Sequence, residues 1–236
     1  MRAAFFNVLF SCKISYFSFA NQKGTFDDRL LYLDNAKWAQ NFHYARRIGA
    51  DYTVHPVNIG QGEQHEDAFL AISPNNKIPA IYDQETDIAM METGAILIYL
   101  AEKHGKFLPN AGKARADVLQ WLMWQMGGQG PMLGQVHHFT HFNQGVSDYA
   151  EERFGSEARR LYGVLNKRLA DNEFIAGEYS IADMACWPWV SRYEWQQIDL
   201  AAFPNVQRWY KNILAREAVQ KGYHIPKAMP EIPSGD

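Results

Sequence analysis

Glu92 and Thr93 stand where a short apolar run, DIAMME, passes into a run with helical spacing. A helix that starts there offers free backbone N–H groups and the positive end of its dipole, which suits a carboxylate ligand. Thr93 can add a hydroxyl to that carboxylate, while Glu92 can hold an ammonium. A simple N-cap is the plainer reading of the same pair. Upstream, Ile78-Pro79 opens the run KIPAIYD, at a strand start where proline gives up no ladder hydrogen bond. By base rate that bond is trans, since cis accounts for only about 5–6% of X-Pro bonds. His137, His138 and His141, with Phe139 and Phe142, share one helical stretch. No carboxylate or cysteine stands at ligand spacing beside them, so an aromatic wall next to a substrate cleft is preferred to a zinc site, and no metal is expected. Cys186 lies on an apolar helix face and reads as buried rather than nucleophilic. Trp121, Met123, Trp124 and Met126 read as core or inter-domain packing.

The elements that position these residues follow from periodicity. Tyr52 to Ile59 is a β-branched run ended by Gly60 and Gly62, hence a strand. His65 to Ile72 has helical spacing and stops at Ser73-Pro74. KIPAIYD and DIAMME form a hairpin about Asp83 to Asp87, and Thr93 to His104 is a helix closed by Gly105. After a linker, FLPNAGK, the chain reads as helix from Lys113 to Met126 and onward, Ser147 to Ala170, Ser180 to Trp195 and Pro204 to Glu217. Ser180-Ile-Ala-Asp183 is a capping box, which is architecture rather than catalysis. The fold class expected is an α/β thioredoxin-like N-terminal domain followed by an all-α C-terminal domain.

Composition narrows the function. A net charge of −3 gives no field for nucleic acid or acidic lipid, so neither is expected as a partner. Cys12 and Cys186 are too few for a disulfide framework, which fits a reducing, cytoplasmic setting. No apolar run approaches the roughly 20 residues that would span a bilayer.

The strings SPNNKIPAI, METGAILIYLAEKHGKFLP, LQWLMWQMGGQGPMLGQVHHF, LYGVLNKRL and YSIADMACWPWV together resemble cytosolic glutathione transferases of the bacterial nu-like class, the disulfide-bond oxidoreductase type. The likeness covers about three quarters of the chain, Gly49 to about Ile225. It implies glutathione as substrate, with contacts from Gln64, from Ile78 at a cis-Pro79, and from Glu92 and Thr93, where the family's usual serine is replaced. It also implies that Arg153, in YAEERF, reaches the partner subunit's glutathione in a homodimer. The activity implied is reduction of small-molecule disulfides by glutathione, with transfer to electrophiles or reduction of hydroperoxides as lesser activities. No protein cysteine is needed, because glutathione brings the sulfur.

The first strand and helix of that family depart from the pattern. A Thr-Pro-Asn-Gly motif, whose hydroxyl or amide holds the glutathione sulfur as thiolate, is missing from LLYLDNAKWAQNFHYARRIG. Asn35 and Lys37, at the corresponding codons, are not expected to replace it. Back-translated and read one base later, Leu33 to Ile48 can give WTTPNGHKISIMLEEL, and Asp27 to Tyr32 can give MIDFYT. The codons are chosen, but Trp38 followed by alanine must yield the glycine that the motif wants. On that reading residues 1–26 are translated upstream sequence, which accounts for the weak signal-peptide look of Met1 to Phe10. The expected organisation is 1–26 as a non-native extension, 27–106 as the glutathione-binding domain, 113–225 as the helical domain and 226–236 as a tail. Leu30 to Leu33 and Lys37 to Ile48 would fill the places of strand and helix. The rival reading is a non-catalytic binding module on the same fold, or an inactive frameshifted product.

Overall fold

The structure, a computed structural model, describes the strand pair Ser15–Tyr16 and residues 53–223 and 231–236. The expectations for Cys12, Leu30 to Leu33, Asn35 and Lys37 to Ile48 fall outside the described residues. A four-stranded sheet runs in the order Thr53–Val54, Ser15–Tyr16, Ala80–Asp83, Ile88–Met91. Strand β1 (Ser15–Tyr16) pairs parallel with β2 (Thr53–Val54), Ser15 opposite Thr53, and antiparallel with β3 (Ala80–Asp83), Ser15 opposite Tyr82. Strand β3 pairs antiparallel with β4 (Ile88–Met91), from Ala80 opposite Met91 to Asp83 opposite Ile88. The hairpin expected from KIPAIYD and DIAMME is therefore present. The strand expected over Tyr52 to Ile59 is only Thr53–Val54. Pro56 follows at once and has no N–H to give a ladder. The helix expected over His65 to Ile72 divides into a 3₁₀ turn at Glu63–His65 and a short α1 (Asp67–Leu70).

Helix α2 (Thr93–His104) runs for the 12 residues expected and ends at Gly105, whose φ of 63° suits glycine. The helical part follows as α3 (Gly112–Trp124), a π-helical turn (Gln125–Gln129), α4 (Gly130–Val136) and a second π-helical turn (His137–Phe142). Then come α5 (Asp148–Arg168), α6 (Ile181–Val190), α7 (Pro204–Leu214) and α8 (Glu217–Tyr223). Helix α6 stops at Val190, short of the Trp195 that its apolar pattern suggested. The Ser191 hydroxyl donates to the Pro188 carbonyl at 2.8 Å, and turns follow through Gln197, which has φ 56°.

One apolar core joins the two halves. Ile81 of β3 and Ile96, Leu97 and Leu100 of α2 share it with Leu122, Leu133, Trp187 and Trp209. The linker is fastened by the Ile181 N–H, which donates to the Phe107 carbonyl at 3.1 Å. The capping box is present at α6: the Ser180 hydroxyl accepts from the Ala182 N–H at 3.3 Å, and the Asp183 carboxylate accepts from the Ser180 N–H at 2.9 Å. Asp183 also accepts from Ile175 N–H and from the Trp209 indole, both at 2.9 Å, so one buried carboxylate ties α6 to α7. The end of the chain lies on α7, where the Tyr210 hydroxyl donates to the Pro233 carbonyl at 2.6 Å. Among the described residues, no helix is long and apolar enough to cross a membrane.

Candidate functional site

Strand β4 gives way to α2 at a single residue. Glu92 has φ 73° and ψ 117°, a conformation that non-glycine residues adopt at a cost. Its carbonyl accepts the first helical bond, from the Ile96 N–H at 2.9 Å, but its side chain makes no capping bond. The plain N-cap reading therefore does not describe it. Glu92 is exposed, Thr93 beside it is buried, and among the described residues no side chain is hydrogen-bonded to the first N–H groups of α2. Such a helix start keeps its affinity for an anion.

A cleft of about 260 Å³ opens at this point. Glu92, Thr93, Gly94 and Ala95 form one wall, and Met123, Gln125, Met126, Gly130 and Pro131, from the end of α3 to the start of α4, form the other. The two walls approach closely at Gly94, where a Cβ would lie 3.1 Å from Met126 Cγ. Met123 is 50% exposed, so the expectation of core packing holds for Trp121 and Trp124, which contact each other at 5.2 Å, but not for Met123. Gln125 is the cleft residue that sequence reasoning missed. Its signal was the second of two amides in the run LQWLMWQM, at the entry to a π-helical turn.

The other site residues expected from the sequence are not in this cleft's lining. Ile78-Pro79 is cis and leads into β3. The loop before it is set by Ser73, whose hydroxyl donates to the Lys77 carbonyl at 2.7 Å, with Asn76 in the left-handed region at φ 47°. Gln64 lies in the 3₁₀ turn, half-buried, and its Oε1 has no hydrogen-bond partner. Arg153 is exposed on α5.

The histidines divide. His137 is buried, stacked on Trp189 at 5.9 Å, and receives the Gln196 side-chain N–H on Nε2 at 2.9 Å. Burial first, then the charges of Arg192 and His141, lowers its pKa to about 3. His141 stacks on Trp195 at 4.3 Å, and His138 is exposed beside Phe139. His137, His141 and Phe142 gather around Trp195, Phe139 stacks on Phe154, and none of these rings lines the cleft at Glu92. Among the described residues, no three His, Cys, Asp or Glu side chains are grouped to hold a metal. Cys186 is fully buried, and burial pushes its thiol well above the usual range, which leaves it inert as a nucleophile.

The chain matches the family model of glutathione S-transferase N-terminal domains over residues 35–102 and that of the C-terminal domains over 131–217. It is 52% identical over 174 residues to the disulfide-bond oxidoreductase YfcG of Escherichia coli, covering 71% of this chain and 81% of that protein. It is 41% identical over 184 residues to the disulfide-bond oxidoreductase YghU of the same organism, covering 74% and 64%. A glutathione transferase family member from Pseudomonas fluorescens, solved with two glutathione bound, superposes with a TM-score of 0.80 at 37% identity, covering 93% of this chain and 96% of that one. A glutathione transferase from Pseudomonas putida, solved with one glutathione disulfide per subunit, gives 0.80 at 36% identity, covering 91% and 92%. With its paired α/β and helical domains, this chain belongs to the glutathione S-transferase family.

Proposed function

We propose that the protein is a glutathione-dependent enzyme that reduces small-molecule disulfides, with transfer to electrophiles and reduction of hydroperoxides as lesser activities. The observation that carries this reading is the uncapped start of α2, where Glu92 and Thr93 face one cleft. There the γ-glutamyl carboxylate meets the helix N–H groups and the Thr93 hydroxyl, and its ammonium meets Glu92. Gln64 and the Ile78 backbone beside Pro79 hold the rest of the tripeptide. The unpartnered Oε1 of Gln64 is in keeping with a ligand donor there. The names of the Escherichia coli relatives, and the glutathione and glutathione disulfide bound in the Pseudomonas structures, support the substrate class.

In the reaction a glutathione thiolate attacks one sulfur of the disulfide RSSR, forms a mixed disulfide and expels RS⁻. A second glutathione thiolate attacks the glutathione sulfur of that mixed disulfide and expels the other RS⁻. The two glutathione protons end on the two released thiols, and glutathione disulfide leaves. Buried Cys186 has no part in either step. We further propose that the thiol-activating segment is encoded one base out of register across residues 27–48; of the preceding residues, expected to be an extension, Ser15–Tyr16 nonetheless stands in the sheet between β2 and β3. The partner is a second copy of the chain. Tyr149, 75% exposed, and Arg153 lie four residues apart on one face of α5, which suits a contact that carries Arg153 to the partner's glutathione. A cytoplasmic setting supplies the reduced glutathione that this chemistry consumes.

The assay is release of thiol from bis(2-hydroxyethyl) disulfide in the presence of glutathione. Turnover that requires glutathione supports the proposal. Saturable glutathione binding with no turnover on any disulfide or electrophile, even with the motif restored, supports the rival binding module, a reading that the missing Thr-Pro-Asn-Gly favours.

A further inference from the structure

Gln125 is buried at 2% exposure, yet its Oε1 has no hydrogen-bond partner. A buried amide carbonyl without a donor is costly, and native proteins seldom leave one without a reason. This one lines the cleft opposite Glu92 and Thr93. Two further features fix the amide there. The π-helical turn that begins at Gln125 breaks the helix register, a device common at functional sites. Gly130 leaves the space that the amide occupies, since a Cβ at that position would lie 2.5 Å from Gln125 Nε2 and 3.3 Å from the Trp189 ring.

We propose that Gln125 is a ligand-binding residue of the glutathione site: its carbonyl accepts from the α-ammonium that Glu92 also holds, so the cleft selects ligands with a free amino-acid head. The proposal rests on the glutathione reading above and narrows it. The logic is one of matching donors to acceptors. The start of α2 offers donors, which a carboxylate satisfies. Glu92 and the orphaned Gln125 carbonyl are acceptors on facing walls, and an ammonium between them satisfies both. A ligand that bears the carboxylate but no amine leaves the Gln125 carbonyl buried and unpaired.

The test is calorimetric titration of wild type, Gln125→Leu and Gln125→Glu with glutathione and with glutaryl-Cys-Gly, its analogue without the amine. Wild type is expected to bind glutathione about tenfold or more tightly than the analogue. Gln125→Leu, of similar size, should lose about tenfold for glutathione and less than about twofold for the analogue, whose retained binding certifies the fold. Gln125→Glu, which adds charge to the same acceptor, should raise the ratio of the two affinities. Equal losses on both ligands in Gln125→Leu, unchanged glutathione affinity, or a lowered ratio in Gln125→Glu overturns the assignment of Gln125 alone. Failure of wild type to bind either ligand overturns the glutathione reading itself and this proposal with it.

Discussion

The Asp83 carboxylate at the end of β3 accepts a hydrogen bond from the Tyr99 hydroxyl of α2 at 2.6 Å, and the Lys103 ammonium one turn further on donates to the same oxygen. Asp83 is fully buried, and its other oxygen accepts from the Glu85 N–H at 3.0 Å. Burial pushes its carboxyl up, but Lys103, Tyr99 and the Glu85 N–H outweigh burial and hold it below the usual range. This latch fixes α2 on the sheet and so aims the Glu92–Thr93 end at the cleft.

Asp83→Ala leaves Tyr99 its bond to Thr86 and Lys103 its pair with Glu85, but removes the buried carboxylate that joins them to β3. Urea unfolding should show a loss of about 1–2 kcal/mol, the cost of the lost charge-assisted hydrogen bonds and the space left behind. A loss under about 0.5 kcal/mol would remove the latch from the account.

His137 gives a pH test. The Gln196 amide is oriented by the Tyr162 hydroxyl, which donates to its oxygen at 2.7 Å, and by its own N–H bond to the Trp189 carbonyl at 2.7 Å. Its N–H therefore points at His137 Nε2, which must accept and stay neutral. Between an unfolded pKa of about 6.5 and a folded one of about 3, the unfolded chain takes a proton that the folded chain refuses, so acid destabilises. Asp183, raised to about 6 chiefly by burial, works in the opposite direction below that pH, because the folded state then gains a proton first. The contribution of Asp183 cancels when wild type is compared with His137→Gln. From pH 7 to pH 5 the stability difference should shift by about 2 kcal/mol in favour of the variant. A pH-independent difference would mean that folding leaves the His137 pKa at its unfolded value.

Restoring the thiol-activating segment tests the register proposal. A chain carrying WTTPNGHKISIMLEEL in place of residues 33–48 should turn over the disulfide at least about 100-fold faster than the chain as written, with similar glutathione affinity. Equal and strong turnover by the chain as written would sink that account of its N-terminal part.

The hairpin and α2 were legible because their signals are local: alternating apolar residues about a polar turn, then helical spacing closed by Gly105. Glu92 and Thr93 were legible because they fall at that junction. What was not legible depends on neighbours far away in sequence. Gln125 reads as an ordinary helix residue until Gly130, with Trp189 beside it, is seen to leave its space. Adjacency in sequence cannot tell which helix the His137 cluster faces; His137 faces Trp189 and Trp195. The apolar pattern after Val190 suggested more helix, but Tyr193 is buried from a turn just as well.

The central claim is that the start of α2 binds the γ-glutamyl end of glutathione through Glu92 and Thr93. Calorimetric titration of glutathione into wild type and Glu92→Ala tests it most directly. Saturable binding by wild type, weakened about tenfold or more in Glu92→Ala with the far-ultraviolet spectrum unchanged, is the predicted result. Equal affinity in the two proteins, or no saturable binding by wild type, would contradict it.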